Sequence, residues 1–160
     1  MKKYVSIIFS LLVATSLLSC RDDNEETQAE EYVYEAILNN PSEAVANCFD
    51  VDVTINVPGY ASETLDVTSA VTTKNEWRYK KVSDEKGTLT LSVTCTVRDA
   101  DALQDDQLYL VEVNAALGAG LNTPSRRIVT NMIGRTLKGA QLKTLGKLSD
   151  TVTLSLVEAR

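Results

Sequence analysis

Few residues of this 160-residue chain could do chemistry. It holds three cysteines (Cys20, Cys48 and Cys95), 22 Asp and Glu, and no histidine. Without an imidazole, the His-based serine and cysteine nucleophile systems and the common zinc sites are excluded. Catalysis would fall to carboxylates, Lys or Tyr. A glycoside hydrolase needs two carboxylates at a set separation, and no pair among the 22 stands out by spacing. No catalytic residue is therefore assigned. Cys48 and Cys95 have two readings. A disulfide between them would close a loop of about 46 residues and stabilise by about 3–4 kcal/mol; otherwise they are free thiols, with Cys95 buried. Asp99, Asp101, Asp105 and Asp106 share one loop, but their spacing is not that of an EF-hand, which makes the loop a solvated connector. No metal and no cofactor are expected. Trp77 and Tyr79 lie on one side of a strand, with Arg78 and Lys80 on the other. They could stack on a sugar, or they could be core, the usual use of a lone Trp in a sandwich.

Cys20 has a different context. Met1-Lys2-Lys3-Tyr4 is a short basic start, and Val5 to Leu18 is an apolar run of about 14 residues, short of the ~20 that a membrane helix needs. The run ends Leu17-Leu18-Ser19-Cys20. This resembles the lipobox of bacterial lipoprotein precursors, in which a small residue precedes the Cys; Leu18 departs mildly, since that position is more often small. The resemblance implies a diacylglycerol on the Cys20 sulfur, removal of residues 1–19 and anchorage in a membrane, which takes two or more acyl chains to be firm. It covers about 20 residues and implies nothing about the rest of the chain.

Residues 20–31 follow as an acidic tether. Six acids in the 11 residues from Arg21 to Glu31, with no large apolar side chain, cannot bury enough surface to order themselves. Acids directly after such a cysteine also resemble the surface-export signal of some Gram-negative lipoproteins. The expected location is the outer membrane, on its periplasmic face or at the cell surface.

Charge is uneven along the chain. Residues 21–66 hold 12 acids and one Arg, whereas residues 126–160 hold seven basic residues and two acids. The net charge of -6 argues against nucleic acid as the partner, because phosphate binding draws on Lys and Arg.

From Tyr32 the dominant period is two, which predicts an all-β domain over 32–160. Strands are expected at Tyr32–Leu38, Val51–Val57, Glu76–Val82, Leu108–Ala116 and Thr151–Glu158, with one or two weaker ones between Tyr60 and Val71. The strongest pattern is Leu89, Leu91, Val93, Cys95 and Val97 alternating with Thr88, Thr90, Ser92, Thr94 and Thr96. Ser42–Asn47 is expected to form one helical turn. Pro58-Gly59 marks a turn, residues 84–87 a hairpin with Gly87 left-handed, and Gly118, Gly120 and Pro124 a loop. Residues 126–148, with three interrupting glycines, read as a broken segment, partly strand. The sum is a single antiparallel β-sandwich, immunoglobulin-like or similar. The function expected is that of a non-enzymatic binding or structural module engaging a glycan or an envelope protein, with residues 99–106 and 118–127 as contact loops; the alternative is a carboxylate-dependent enzyme acting on glycans.

Overall fold

The computed structural model describes residues 30–157. Cys20, the segment resembling a lipobox and all of the tether but Glu30 and Glu31 lie outside the described residues. The chain forms eight strands: β1 (Tyr32–Asn39), β2 (Phe49–Asn56), β3 (Glu63–Asp66), β4 (Glu76–Ser83), β5 (Thr88–Val97), β6 (Leu108–Leu121), β7 (Arg126–Lys138) and β8 (Lys147–Ser155). Three short helices interrupt them: α1 (Glu43–Cys48), α2 (Thr68–Lys74) and α3 (Gly139–Leu145). The strands make two antiparallel four-stranded sheets, ordered β4-β1-β6-β7 and β3-β2-β5-β8. These stack as a sandwich, although the order differs from the ABED and CFG sheets of an immunoglobulin domain. Only β2–β3 and β6–β7 are hairpins within a sheet; the other five connections cross between sheets.

The core is what the alternation demands. Tyr34, Ala36 and Leu38 of β1 meet Val51, Val53 and Ile55 of β2 and Leu89, Leu91, Val93 and Cys95 of β5, all at most 1% exposed. Burial of each large aliphatic side chain contributes roughly 1.5–3 kcal/mol against conformational entropy of similar total size.

Four local expectations differ from the structure. Residues 68–74 are helical despite their β-branched content: Asp66 Oδ1 accepts from Thr68 N–H (2.9 Å), Val71 is buried, and Asn75 (φ 53) closes the helix in the left-handed region. Residues 84–87 join β4 of one sheet to β5 of the other, so they form no hairpin, and Gly87 is not left-handed. It is small because a Cβ there would lie 2.7 Å from Pro58 Cγ. Gly118 and Gly120 belong to β6 rather than a loop. The β6–β7 turn folds back on them, and a Cβ on Gly120 would sit 2.1 Å from the Thr123 carbonyl oxygen. Residues 126–138 form a complete strand and 139–145 a helix. In β7 a bulge between the pairs Asn114–Asn131 and Val113–Ile133 leaves Met132 as the extra residue, so that Met132 and Ile133 are both buried.

Register and direction place the connections at two poles. The chain enters at Glu30–Tyr32, where Asn122 N–H donates to the Glu31 carbonyl (2.7 Å) and Tyr32 pairs with Leu121. Loops 57–62, 84–87 and 122–125 lie at this pole. All three helices and loop 98–107 lie at the other, one strand length away, about 30 Å.

Candidate functional site

The distal pole is built from chain that leaves the sheets. Ser42 starts α1: its Oγ accepts from Val45 N–H (3.4 Å). The same residue continues β1 for one rung, donating its N–H to the Glu112 carbonyl (2.9 Å) and accepting from Glu112 N–H through Oγ (3.1 Å). Beyond it, β6 is bare on this side. Leu108 (63% exposed) and Leu110 (48%) stand on the outer face of sheet β4-β1-β6-β7, beside a hollow of about 420 Å³ between β6 and α1. Leu145 of α3 is exposed nearby in sequence to Leu137, and together with Ala140 and Thr144 they line a second, apolar hollow of about 430 Å³.

Acidic loop 99–106 closes the pole. Arg98 N–H donates to the Cys48 carbonyl (2.9 Å), and the Arg98 guanidinium pairs with Asp50 (2.7 Å). Asp105 pairs with Lys143 of α3 (2.7 Å), and Asp106 with Lys138 (3.6 Å). Asp101 N–H donates to Asp99 Oδ1. Asp105 and Asp106 thus tie the loop to α3 and the end of β7, Asp99 accepts within the loop, and no metal-holding group of His, Cys, Asp or Glu occurs among the described residues. The two stretches expected as contact loops, 99–106 and 118–127, stand at opposite poles.

Trp77 and Tyr79 are placed on the inner side of the edge strand β4, opposite Leu38 and Ala36, and pack against the core. Their rings are 6.0 Å apart and tilted by 31°. Tyr79 OH donates to Glu63 on β3 (3.1 Å), and Lys81 Nζ pairs with the same carboxylate while lying 4.1 Å from the centre of the Tyr60 ring. This cluster closes the seam between edge strands β3 and β4. The pair therefore packs against the margin of the core. Arg78 and Lys80 point to the outer face, where Arg78 pairs with Glu76 and Lys80 with Glu35 (3.5 Å).

The cysteines are both free. Cys95 pairs with Val51 on the inner face, whereas Cys48 lies beside Arg98, three residues beyond Cys95 and just past the end of β5. Three extended residues span about 10 Å, beyond the Cα separation of roughly 7 Å that a disulfide tolerates. Of the two readings, the structure holds the free thiols. Burial pushes Cys95 up to about 12. Burial also raises Cys48, partly opposed by the Arg98 charge. Neither is an activated thiolate.

Shifted carboxylates all move one way. The Lys81 hydrogen bond holds Glu63 below the usual range, Thr68 does so for Asp66, and Arg78 for Glu76. A general acid for glycoside cleavage needs the opposite shift. What the pole offers is shape, aliphatic contact and, among the described residues, backbone groups without a partner. Sequence reasoning did not find Leu108, Leu110 and Ser42. The one available signal was the run Leu108-Tyr109-Leu110-Val111, apolar on both faces of a strand.

No protein-family model, curated protein or solved structure matches this chain.

Proposed function

We propose that the chain is a lipid-anchored, non-catalytic binding module of the bacterial cell envelope, held at the outer membrane through acyl chains on Cys20, with the distal pole as its contact surface for an envelope protein. The observation that supports this is polarity of placement. The chain enters beside Tyr32 and Leu121, while α1, α2, α3, Leu108 and Leu110 lie at the far end. A segment from Cys20 to Glu30 spans at most about 35 Å. That length holds the entry pole within about 35 Å of the anchor and leaves the distal pole, about 30 Å farther along the strands, free to face away from it. A protein partner is favoured over a glycan because the exposed side chains there are aliphatic, whereas Trp77 and Tyr79 are spent on the β3–β4 seam.

Two measurements test the reading. Cys20→Ala is expected to move the protein from the membrane fraction to the soluble fraction; unchanged fractionation would remove the anchor. A photo-crosslinking residue at position 108 is expected to trap a discrete envelope protein in cells, and one at position 84 at the entry pole is not. Equal yields from both positions, or none from position 108, would remove the distal contact surface.

A further inference from the structure

β1 ends early, and the place it vacates beside β6 is open. β1 pairs with β6 only from Asn114 to Leu121, whereas β6 begins at Leu108. Along residues 108–113 its strand partner is β7 alone. Ser42 fills one rung at Glu112, and its Oγ donates to the Leu110 carbonyl (2.5 Å). Then α1 carries the chain away. Backbone groups of alternate residues point to the same side of a strand. The N–H of Leu110 and the N–H and C=O of Leu108 therefore point where those of Glu112 point, into the 420 Å³ hollow walled by Ala44, Asn47, Cys48 and Tyr109. Among the described residues no backbone group meets them from that side.

Such an edge is a template for an added strand. The geometry points to a strand-addition site: an extended segment of a partner protein, bearing aliphatic and basic side chains, continues the line of β1 by pairing with Leu108–Leu110. The inference rests on the distal pole being a binding surface and names what that surface takes. Aliphatic character follows from Leu108 and Leu110, which flank the slot and stay exposed without a partner. Basic character follows from charge. The lining of the slot holds one acid, Glu43, and no base, and the adjoining residues 99–112 hold five acids and no base. Lys138 and Lys143 pair with Asp106 and Asp105 and, among the described residues, leave Glu43, Asp99, Asp101 and Glu112 without an ion pair. A second copy of this chain is a poor donor. Its own aliphatic and basic stretch, β7, is already in a sheet, and residues 21–31, with six acids, carry the wrong sign.

The test uses full-length lipidated protein in detergent micelles. The probes are a capped heptapeptide alternating Lys with Val and its counterpart alternating Glu with Val. The Lys peptide is expected to bind at least tenfold more tightly than the Glu peptide and to slow amide exchange at Leu108 and Leu110 at least tenfold. Leu110→Pro removes the N–H that faces the slot, a change strand edges tolerate. It is expected to weaken binding tenfold or more, while Val129→Asp, on the same sheet face but outside the slot, leaves binding unchanged. The amide readout on the unmutated chain stands even where Leu110→Pro fails to fold. Binding without protection at Leu108 and Leu110, or unaltered by Leu110→Pro in a folded chain, overturns strand addition but leaves the distal contact surface standing. Equal affinity for the two peptides, or affinity for neither, overturns the chemistry assigned to the partner. Protection that rises with protein concentration in the absence of peptide gives the slot to a second copy and overturns the inference. Crosslinking from position 108 in cells decides the broader reading separately.

Discussion

The two outer faces of the sandwich are built from the same number of antiparallel strands and differ in almost everything else. On the face of β3-β2-β5-β8, every outward position of β5 is a hydroxyl: Thr88, Thr90, Ser92, Thr94 and Thr96. Opposite them stand Asn56, Thr54, Asp52 and Asp50 on β2 and Ser155, Thr153, Thr151, Ser149 and Lys147 on β8, and three hydroxyl pairs bridge strands on this face, Thr54–Thr64 at 3.0 Å, Ser92–Thr151 at 2.8 Å and Thr88–Ser155 at 3.1 Å. On the face of β4-β1-β6-β7, one row reads Arg78, Ile37, Ala116, Val129 and the next Lys80, Glu35, Gly118, Arg127. Val129 is 78% exposed, and two glycines admit the β6–β7 turn. The first face meets much of its polar demand across its own strands and presents hydroxyls to water. The second leaves aliphatic side chains and backbone edges unused. A face that completes its own polar contacts tolerates change, whereas one shaped by close approach and open edges does not.

The largest effect that separates the two faces is expected at Gly120. Its added Cβ would meet the Thr123 carbonyl oxygen at 2.1 Å and the Ser125 nitrogen at 2.5 Å, both backbone atoms that cannot yield without moving the turn. Gly120→Ala should cost on the order of 3 kcal/mol, the range reserved for strain and packing failures. Denaturant unfolding checks it, and a loss below ~1 kcal/mol would show that the turn yields freely. Next comes the inner side of the hydroxyl face. Cys95 is neutral in the folded chain up to about pH 12, while the unfolded thiol ionises from about pH 9. Across that window the unfolded state binds fewer protons, so stability falls as pH rises, by up to about 1.4 kcal/mol per unit from this group. Cys95→Val should be flatter over the same range, and parallel pH profiles for the two chains would refute the assignment. The Cys95 thiol should also resist alkylation in the native protein while Cys48 reacts slowly, as peptide mass spectrometry after timed labelling would read.

At the distal end of the other sheet, Ser42 caps α1 and completes β6 at once. Ser42→Ala removes the acceptor for Val45 N–H and for Glu112 N–H. It should cost about 1–2 kcal/mol and speed amide exchange at Glu112 more than at Ala116, whose sheet neighbours are intact. Equal exchange at both would mean that α1 holds its place without the cap.

The same contrast decides what was legible in the sequence. The hydroxyl face was readable because β5 alternates without exception and both its flanks pair along their length; period two is all that such a strand requires. The sandwich and the first strand from Tyr32 followed from the same signal, and the turn at α1 from the break at Asn39-Asn40-Pro41-Ser42. Residues 126–138 hid as a broken segment because Gly134 and the Met132 bulge interrupt the period, and because Val129 faces water where the pattern expects core. The α2 helix was lost because Thr68, Val71, Thr72 and Thr73 favour strands, whereas Asp66 and Asn75 fix its ends through tertiary placement. The candidate site was nearly invisible. Its substance is a missing rung, and the absence of a neighbour beside Leu108 is a property of where β1 stops, which no window of residues around Leu108 contains.

The smallest effect is expected where the alternation is cleanest. Replacing Thr90, Ser92 and Thr94 by Val, singly, should change stability by no more than about 0.5 kcal/mol, because each hydroxyl lost exposes its neighbour to water, which replaces the bond. The sign should differ among them. Ser92 hydrogen-bonds Thr151, so Ser92→Val leaves a partner to be re-solvated and should fall on the destabilising side. Thr90 and Thr94 have no side-chain hydrogen bond of that kind, and Val there adds β propensity at no polar loss. A loss above ~1 kcal/mol at Thr90 or Thr94 would mean that this face is covered in the working protein, and the contrast between a self-sufficient face and an unfinished one would have to be abandoned.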